Sequence, residues 1–161
     1  MKVLQTVVLI LVFSLVASCS SDDDSSDENL DPVTQPFFVK INGQDFLQTS
    51  ITTVDFGDTI NIEAVNANDV DIVLGFPKNL ATGESLQAGV FNSNGTDVFV
   101  AIYDTDGDGF IATSGQLTIV SHNLETKEIS GRFNFSGPNF GANGGTLDFT
   151  EGEFIVNYGI L

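Results

Sequence analysis

The chain is short of basic residues, histidine, cysteine and tryptophan, and each shortage excludes a class of function. Its 161 residues hold five lysines and arginines against 22 acids, with one histidine, one cysteine and no tryptophan. Because an acidic surface repels nucleic acid and anionic lipid headgroups, neither is an expected partner. One histidine and one cysteine are too few for a zinc site. A single cysteine also excludes an internal disulfide, and exported proteins commonly contain disulfides.

The lone cysteine lies at the end of an export signal. One lysine precedes an apolar run from Val7 to Phe13, and small residues follow up to Cys19. This is the pattern of a secretory signal peptide, and the run is too short for a permanent span of a ~30 Å hydrocarbon layer. Residues 16–19, Val-Ala-Ser-Cys, resemble the bacterial lipobox. The resemblance implies a lipoprotein signal peptide over 1–18 and a lipidated Cys19; an ordinary cleaved signal peptide is the alternative.

Residues 19–36 are predicted to form a disordered acidic tether. They contain six acids and only two aliphatic side chains, which cannot bury enough apolar area to offset chain entropy. The opening Cys-Ser-Ser-Asp-Asp-Asp resembles the export signals of surface lipoproteins of Bacteroidota. That resemblance implies a lipid-anchored protein of the outer membrane that faces the cell exterior, with an inert spacer on a periplasm-facing lipoprotein as the alternative.

Residues 37–161 are predicted to form one all-β domain. They contain four bases and 16 acids, a formal charge of −12, and 13 of the 14 phenylalanines. Apolar residues alternate with polar ones in short runs such as 60–64 and 70–76, and no segment keeps a helical period over 11 residues. About eight or nine strands are expected, arranged as an antiparallel β-sandwich or, alternatively, as a small closed β-barrel.

Two local patterns give finer expectations. Asn42-Gly43 is the preferred pair for a type I′ hairpin turn. In the run 98–103, Val98, Val100 and Ile102 are assigned to the core, with Phe99, Ala101 and Tyr103 between them. Three phenylalanines are then left for outward or loop positions: Phe38, Phe99 and Phe140.

Several strand-and-turn motifs resemble a family of small flavobacterial lipoproteins whose domain has no assigned function. The motifs are FFVKINGQDF at 37–46, Ser-Gly-x-Leu-x-Ile at 114–119, Ile-Ser-Gly-x-Phe-x-Phe at 129–135 and Gly-x-Phe-x-Val at 152–156. Together with the lipobox and the tether they cover nearly the whole mature chain. The resemblance brings no catalytic residues. Family members often carry tryptophan in the second strand, where this chain has Phe46.

Catalytic chemistry has little support in the sequence, so the chain is predicted not to be an enzyme. His122 is expected in a turn after a strand, and no spacing joins it to a nucleophile. Two acids on any two strands could still form the carboxylate pair of a hydrolase, so an envelope hydrolase remains an alternative. A carbohydrate-binding module is a second alternative. Sugar-binding surfaces usually rely on exposed tryptophan and tyrosine, however, and the chain has no tryptophan and only two tyrosines.

The sharpest predicted site is a weak, structural calcium loop. Asp104, Asp106, Asp108 and Gly109 match positions 1, 3, 5 and 6 of an EF-hand loop, and the backbone carbonyl of Phe110 would be the ligand at position 7. Position 12 holds glycine instead of an acid, so affinity is expected on the order of 10⁻⁴–10⁻³ M. The alternative is a plain acidic hairpin turn.

Residues 58–60, Asp-Thr-Ile, resemble the sequon for general O-glycosylation of exported Bacteroidota proteins, which makes Thr59 a candidate acceptor. An unmodified threonine at a strand start is the alternative. Taken together, the sequence predicts a lipid-anchored, surface-exposed protein of the cell envelope. Its expected role is a non-enzymatic binding or structural interaction module for a protein or glycan partner.

Overall fold

The all-β class is confirmed by the computed structural model, which describes residues 30–90, 98–105, 108–139 and 144–159. Eleven strands account for nearly all of the regular structure in these ranges, and no helix occurs in them. In chain order the strands are β1 Phe37–Ile41, β2 Gln44–Asp45, β3 Gln48–Asp55, β4 Thr59–Asn66, β5 Asp71–Pro77, β6 Ser85–Ala88, β7 Val98–Thr105, β8 Asp108–Ile111, β9 Ser114–Asn123, β10 Glu128–Pro138 and β11 Thr146–Asn157.

The strands form one strongly curled mixed sheet, a half-barrel. Their order is β2-β1-β11-β10-β9-β6-β7-β5-β4-β3, and β8 pairs with β7 as a side branch. All neighbours are antiparallel except β6 and β7, which run parallel. The short strands β6 and β8 help to bring the number above the eight or nine expected, because segments of four residues carry too little alternation to be recognised in a sequence.

The core lies on the concave side of the curled sheet, where inward positions alternate with outward ones. Along β4, for example, Ile60, Ile62 and Ala64 are completely buried while the residues between them are half-buried. Phenylalanines join the two walls: the rings of Phe76 on β5 and Phe154 on β11 stack with centroids 5.6 Å apart. Burying such a side chain stabilises the fold by roughly 1.5–3 kcal/mol.

The expected orientation of β7 is wrong. Phe99 and Ala101 are completely buried, and Val98, Val100 and Ile102 are only half-buried. The register with β5 sets this parity, because Ala101 pairs with Leu74, which is itself fully buried. Residues directly opposite each other on adjacent strands share a face of the sheet. Both faces of β7 are apolar, so its own sequence does not determine which face is buried.

Two irregularities match local sequence. Asn42 and Gly43 have φ values of 49° and 79°, which confirms the type I′ turn. Glu151, at φ 55°, lies in a β-bulge where the pairing of β10 with β11 shifts by one residue.

The domain's contacts begin ahead of Phe37, within the last residues of the predicted tether. Val33 is buried, and the Arg132 guanidinium donates to the backbone carbonyl of Asp31 at 2.7 Å. The backbone N–H of Ile155 donates to the Pro36 carbonyl at 3.2 Å. Residues 1–29, which include the predicted signal peptide and most of the tether, lie outside the described residues.

Candidate functional site

A groove opens at one end of the half-barrel, where three connections between strands meet. They are the β3–β4 turn, the β5–β6 loop and the end of β9 with the start of its turn. The groove has a volume of about 790 Å³ and is open to solvent on one side. Its walls are formed by Gly57, Asp58, Lys78, Asn79, Leu80, Ala81, Thr82, His122 and Leu124.

The β3–β4 turn is held by its own polar groups. The Asp55 carboxylate accepts the Gly57 N–H at 2.8 Å, and the Phe56 N–H donates to the Thr59 carbonyl at 2.9 Å. Gly57 has φ 90°, a conformation that glycine adopts at little cost. The turn therefore has a defined shape, and it presents Asp58 to the groove.

Hydrogen bonds to the neighbouring connections fix the β5–β6 loop. The Lys78 N–H donates to the Asp58 carbonyl at 2.9 Å, which ties the loop to the β3–β4 turn. Within the loop, the Glu84 carboxylate accepts the Ala81 N–H at 2.9 Å. The Gly83 N–H donates to the Ile119 carbonyl of β9 at 2.8 Å. All three walls of the groove are thus joined through backbone groups.

The groove residue Lys78 forms an ion pair and lies near an aromatic ring. The Lys78 ammonium donates to the Asp55 carboxylate at 2.5 Å and lies 5.5 Å from the centroid of the Tyr158 ring. The hydrogen bond from Lys78, followed by the one from the Gly57 N–H, lowers the pKa of Asp55. The hydrogen bond to Asp55 raises the pKa of Lys78. Burial raises the pKa of Tyr158, so its hydroxyl stays protonated.

His122 lies within β9 rather than in a turn, and both of its ring nitrogens are bonded. Nδ1 lies 2.8 Å from the Leu80 carbonyl oxygen, and Nε2 lies 2.7 Å from the Tyr158 hydroxyl. A carbonyl only accepts, so Nδ1 is the donor to Leu80, which leaves Nε2 to pair with the Tyr158 hydroxyl. Adjacent residues of a strand point to opposite faces, and the Ser121 hydroxyl is bonded to that of Ser130 at 2.7 Å. The structure therefore does not bring Ser121 and His122 together as a nucleophile and its base.

Two exposed apolar side chains, which we call the rim, lie in the connections that form the groove: Leu124 is a wall residue, and Phe56 directly precedes the wall residue Gly57. Phe56 at the tip of the β3–β4 turn is 65% exposed, and Leu124 after β9 is 69% exposed. The aromatic residues that sequence singled out for exposure lie elsewhere: Phe99 is buried, Phe38 is half-buried and Phe140 is outside the described residues. Phe56 follows Val54 and Asp55 without a clear alternation, so its exposure was not evident from the sequence.

The residues on either side of the predicted calcium loop's centre pair antiparallel as β7 and β8, and residues 106–107 between them lie outside the described residues. Asp104 pairs with Gly109 and Thr105 with Asp108, so positions 104 and 108 have opposite parity in the ladder. Asp104 also pairs with Asp71 of β5, and both border a polar depression of about 370 Å³ with Asp69. Asp106 and the side chain of Asp108 lie outside the description.

Within the described ranges, no three His, Cys, Asp or Glu side chains lie close enough together to hold a metal. Calcium binding by Asp104, with Phe110 as a backbone ligand, stays a prediction.

The two predicted modification sites have different surroundings. Thr59 is the first residue of β4, half-buried beside the groove's β3–β4 turn. Cys19 lies outside the described residues. Among the residues that the structure does describe, there is no helix of the length and hydropathy needed to cross a membrane.

Comparison with known proteins identifies no family and no protein of similar fold. No protein-family model matches the chain, and neither curated proteins nor solved structures show a significant similarity to it. The function therefore has to be argued from the groove and the sequence.

Proposed function

We propose that this chain is a lipid-anchored protein of the bacterial cell envelope, displayed on the outer surface, whose domain acts as a non-enzymatic binding module. The groove at the hairpin end is its ligand site. The observation that carries this proposal is the groove itself, a preformed concavity of about 790 Å³ with apolar walls and a few polar groups. Sites for small ligands in proteins have this size and composition.

The proposed anchor rests on the sequence. Cys19 is the only cysteine, and it stands at the position where a lipobox requires one. The acidic residues that follow resemble the export signals of surface lipoproteins. By the same kind of resemblance we place the chain among the small flavobacterial lipoproteins that share its strand motifs.

Binding is favoured over catalysis because two reactive side chains of the groove, His122 and Lys78, already have hydrogen-bond partners. His122 uses both nitrogens, and Lys78 is paired with Asp55. A general base needs a free lone pair within reach of the proton it removes. The same contacts suit a binding site, because they fix the walls of the groove before a ligand arrives and so reduce the entropy lost on binding.

A carbohydrate-binding module is the second candidate, favoured by one observation. Phe56 presents an exposed aromatic ring in the β3–β4 turn, directly before the groove residues Gly57 and Asp58. An aromatic face next to planar polar groups suits a sugar ring. A glycan array probed with the wild-type chain and with Phe56→Ala separates this candidate: hits that depend on Phe56 support it, and an empty array removes it.

Cell fractionation tests the anchored, surface-exposed part of the proposal. The wild-type chain should sediment with the outer membrane, and Cys19→Ser should appear in the soluble fraction. A protease added to intact cells should digest the wild-type protein. Ser18→Ala is the matched control, since it changes the neighbouring small residue and keeps the thiol. A Cys19→Ser chain that still sediments, or a wild-type chain protected on intact cells, would contradict the proposal.

A further inference from the structure

Three of the four basic side chains of residues 37–161 are bonded within the domain, and the fourth, Lys127, lies near Gly159. Lys40 pairs with Glu151 at 2.5 Å and Lys78 with Asp55 at 2.5 Å. Arg132 donates to the Asp31 carbonyl. Lys127 packs its ammonium end beside Gly159 and helps to lower the pKa of Asp55. With 16 acids against these four bases, the domain offers carboxylates rather than cations to a ligand in solution.

The groove has the same bias. Lys78 is its one basic wall residue, and the Asp55 carboxylate already accepts a hydrogen bond from it. Asp58 is the acidic wall residue, and its side chain is exposed. An incoming ligand therefore meets one carboxylate and a lysine that is already neutralised. The field of a domain with formal charge −12 adds to this local preference for positive charge.

The rim supplies the other half of the recognition. Leu124 is a wall residue of the groove and is 69% exposed, and Phe56, which is 65% exposed, directly precedes the wall residue Gly57. An apolar ligand body would bury them, and an aromatic face also attracts a cation.

We propose that the groove binds organic cations that have an apolar body, such as a quaternary ammonium group on an aromatic ring, with Asp58 facing the positive charge and Phe56 and Leu124 contacting the body. This inference rests on the proposed binding function and names the ligand class for the same groove. An exposed ion pair contributes a factor of about 1.4 to 5 in affinity, so removing the Asp58 charge should weaken binding by about that much. Because such a pair is screened, the loss should be larger at low salt than at 0.3 M salt.

Ligand-observed NMR titrations of the full chain carrying Cys19→Ser would test this. The probes are benzyltrimethylammonium, the neutral 2-phenylethanol, the anionic phenylacetate and methyl glucoside. We expect the cation to bind most tightly, the neutral aromatic alcohol more weakly and the anion weakest. Asp58→Asn should lower the affinity for the cation by a factor of about 1.4 to 5 and leave the affinity for the alcohol unchanged. Leu124→Ser should weaken the cation and the alcohol together.

Asp69→Asn is the matched control. It removes one exposed charge in the β4–β5 turn, at the opposite end of β4 from Asp58, and asparagine tolerates the φ of 55° found there. An unchanged cation affinity in this variant supports a site-specific contact. An equal loss in Asp58→Asn and Asp69→Asn would overturn the inference, because binding would then follow net charge alone. Tightest binding of methyl glucoside, lost in Leu124→Ser, would overturn the cation preference while keeping the groove as the ligand site. Failure of every probe to bind would contradict both.

Discussion

Removing one oxygen atom from Tyr158 should measure how strongly the groove is held together. Tyr158→Phe keeps the ring, which is 1% exposed and lies against Lys78, but removes the hydroxyl 2.7 Å from His122 Nε2. The lost hydrogen bond is worth roughly 1 kcal/mol net, and an unpaired buried acceptor costs about 1–3 kcal/mol. His122 is only half-buried, so water partly replaces the hydroxyl. We therefore expect the free energy of unfolding to fall by about 1–2 kcal/mol.

Equilibrium unfolding in urea, followed by circular dichroism, would measure this loss. The slope of the free energy against urea concentration should stay constant, since the fold and its buried area are unchanged. The melting temperature should fall by about 3–8 °C for a domain of this size. A double-mutant cycle with His122→Ala should give a coupling energy of about 1 kcal/mol. A Tyr158→Phe variant as stable as wild type, with no coupling, would refute the claim that this hydrogen bond holds the groove.

Three further predictions concern the ion pair, one glycine and calcium. The pKa of Asp55 is lowered and that of Lys78 is raised, so the stabilisation from the pair should be lost as pH falls below 3.8 and as pH rises above 10.5. Thermal melts from pH 3 to 11 should show the melting temperature falling at both extremes, and Asp55→Asn should reduce both falls. Gly115→Ala should lower the free energy of unfolding by at least ~2 kcal/mol, because φ is 140° and the added Cβ would overlap the backbone of β10. Gly57→Ala is the control: its Cβ meets open space, so thermal melts should show a loss of only ~1 kcal/mol. If calcium binds at 10⁻⁴–10⁻³ M, 5 mM should stabilise the chain by about 1–2 kcal/mol in a way that Asp104→Asn abolishes; identical melts with chelator would leave only the hairpin turn.

Sequence alternation predicted the fold where only one face of a strand is apolar. Ile60 and Ile62 alternate with Asn61 and Glu63, and the two isoleucines are fully buried as expected. On β7 every residue from 98 to 103 is apolar. The alternation of a strand then says that every second residue faces inward, but it does not say whether the even-numbered or the odd-numbered residues do so. The neighbour β5 sets that parity through hydrogen-bond register, which depends on contacts between distant segments.

The candidate site was hidden from the sequence for a related reason. Its bonds join residues far apart in the chain: 23 positions separate Asp55 from Lys78, 36 separate His122 from Tyr158 and 42 separate Leu80 from His122. No local spacing encodes such a set, because the order of strands in the sheet brings its members together. A lone histidine could be placed in a turn or a strand with equal ease from its neighbours alone.

The groove is formed by two sets of residues: a frame, whose side chains bond distant segments to each other, and a rim, whose side chains are exposed. The frame is the chain of contacts from Asp55 through Lys78, Tyr158 and His122 to Leu80, and it spans all three connections. Changes there should alter stability and ligand affinity together, because the walls move when a bond between elements is lost. Asp58, Phe56 and Leu124 instead contribute exposed side chains. Surface substitutions away from structural features usually change stability by no more than about 0.5 kcal/mol. Affinity changes at these rim positions without a change in the unfolding free energy would therefore report ligand contact itself.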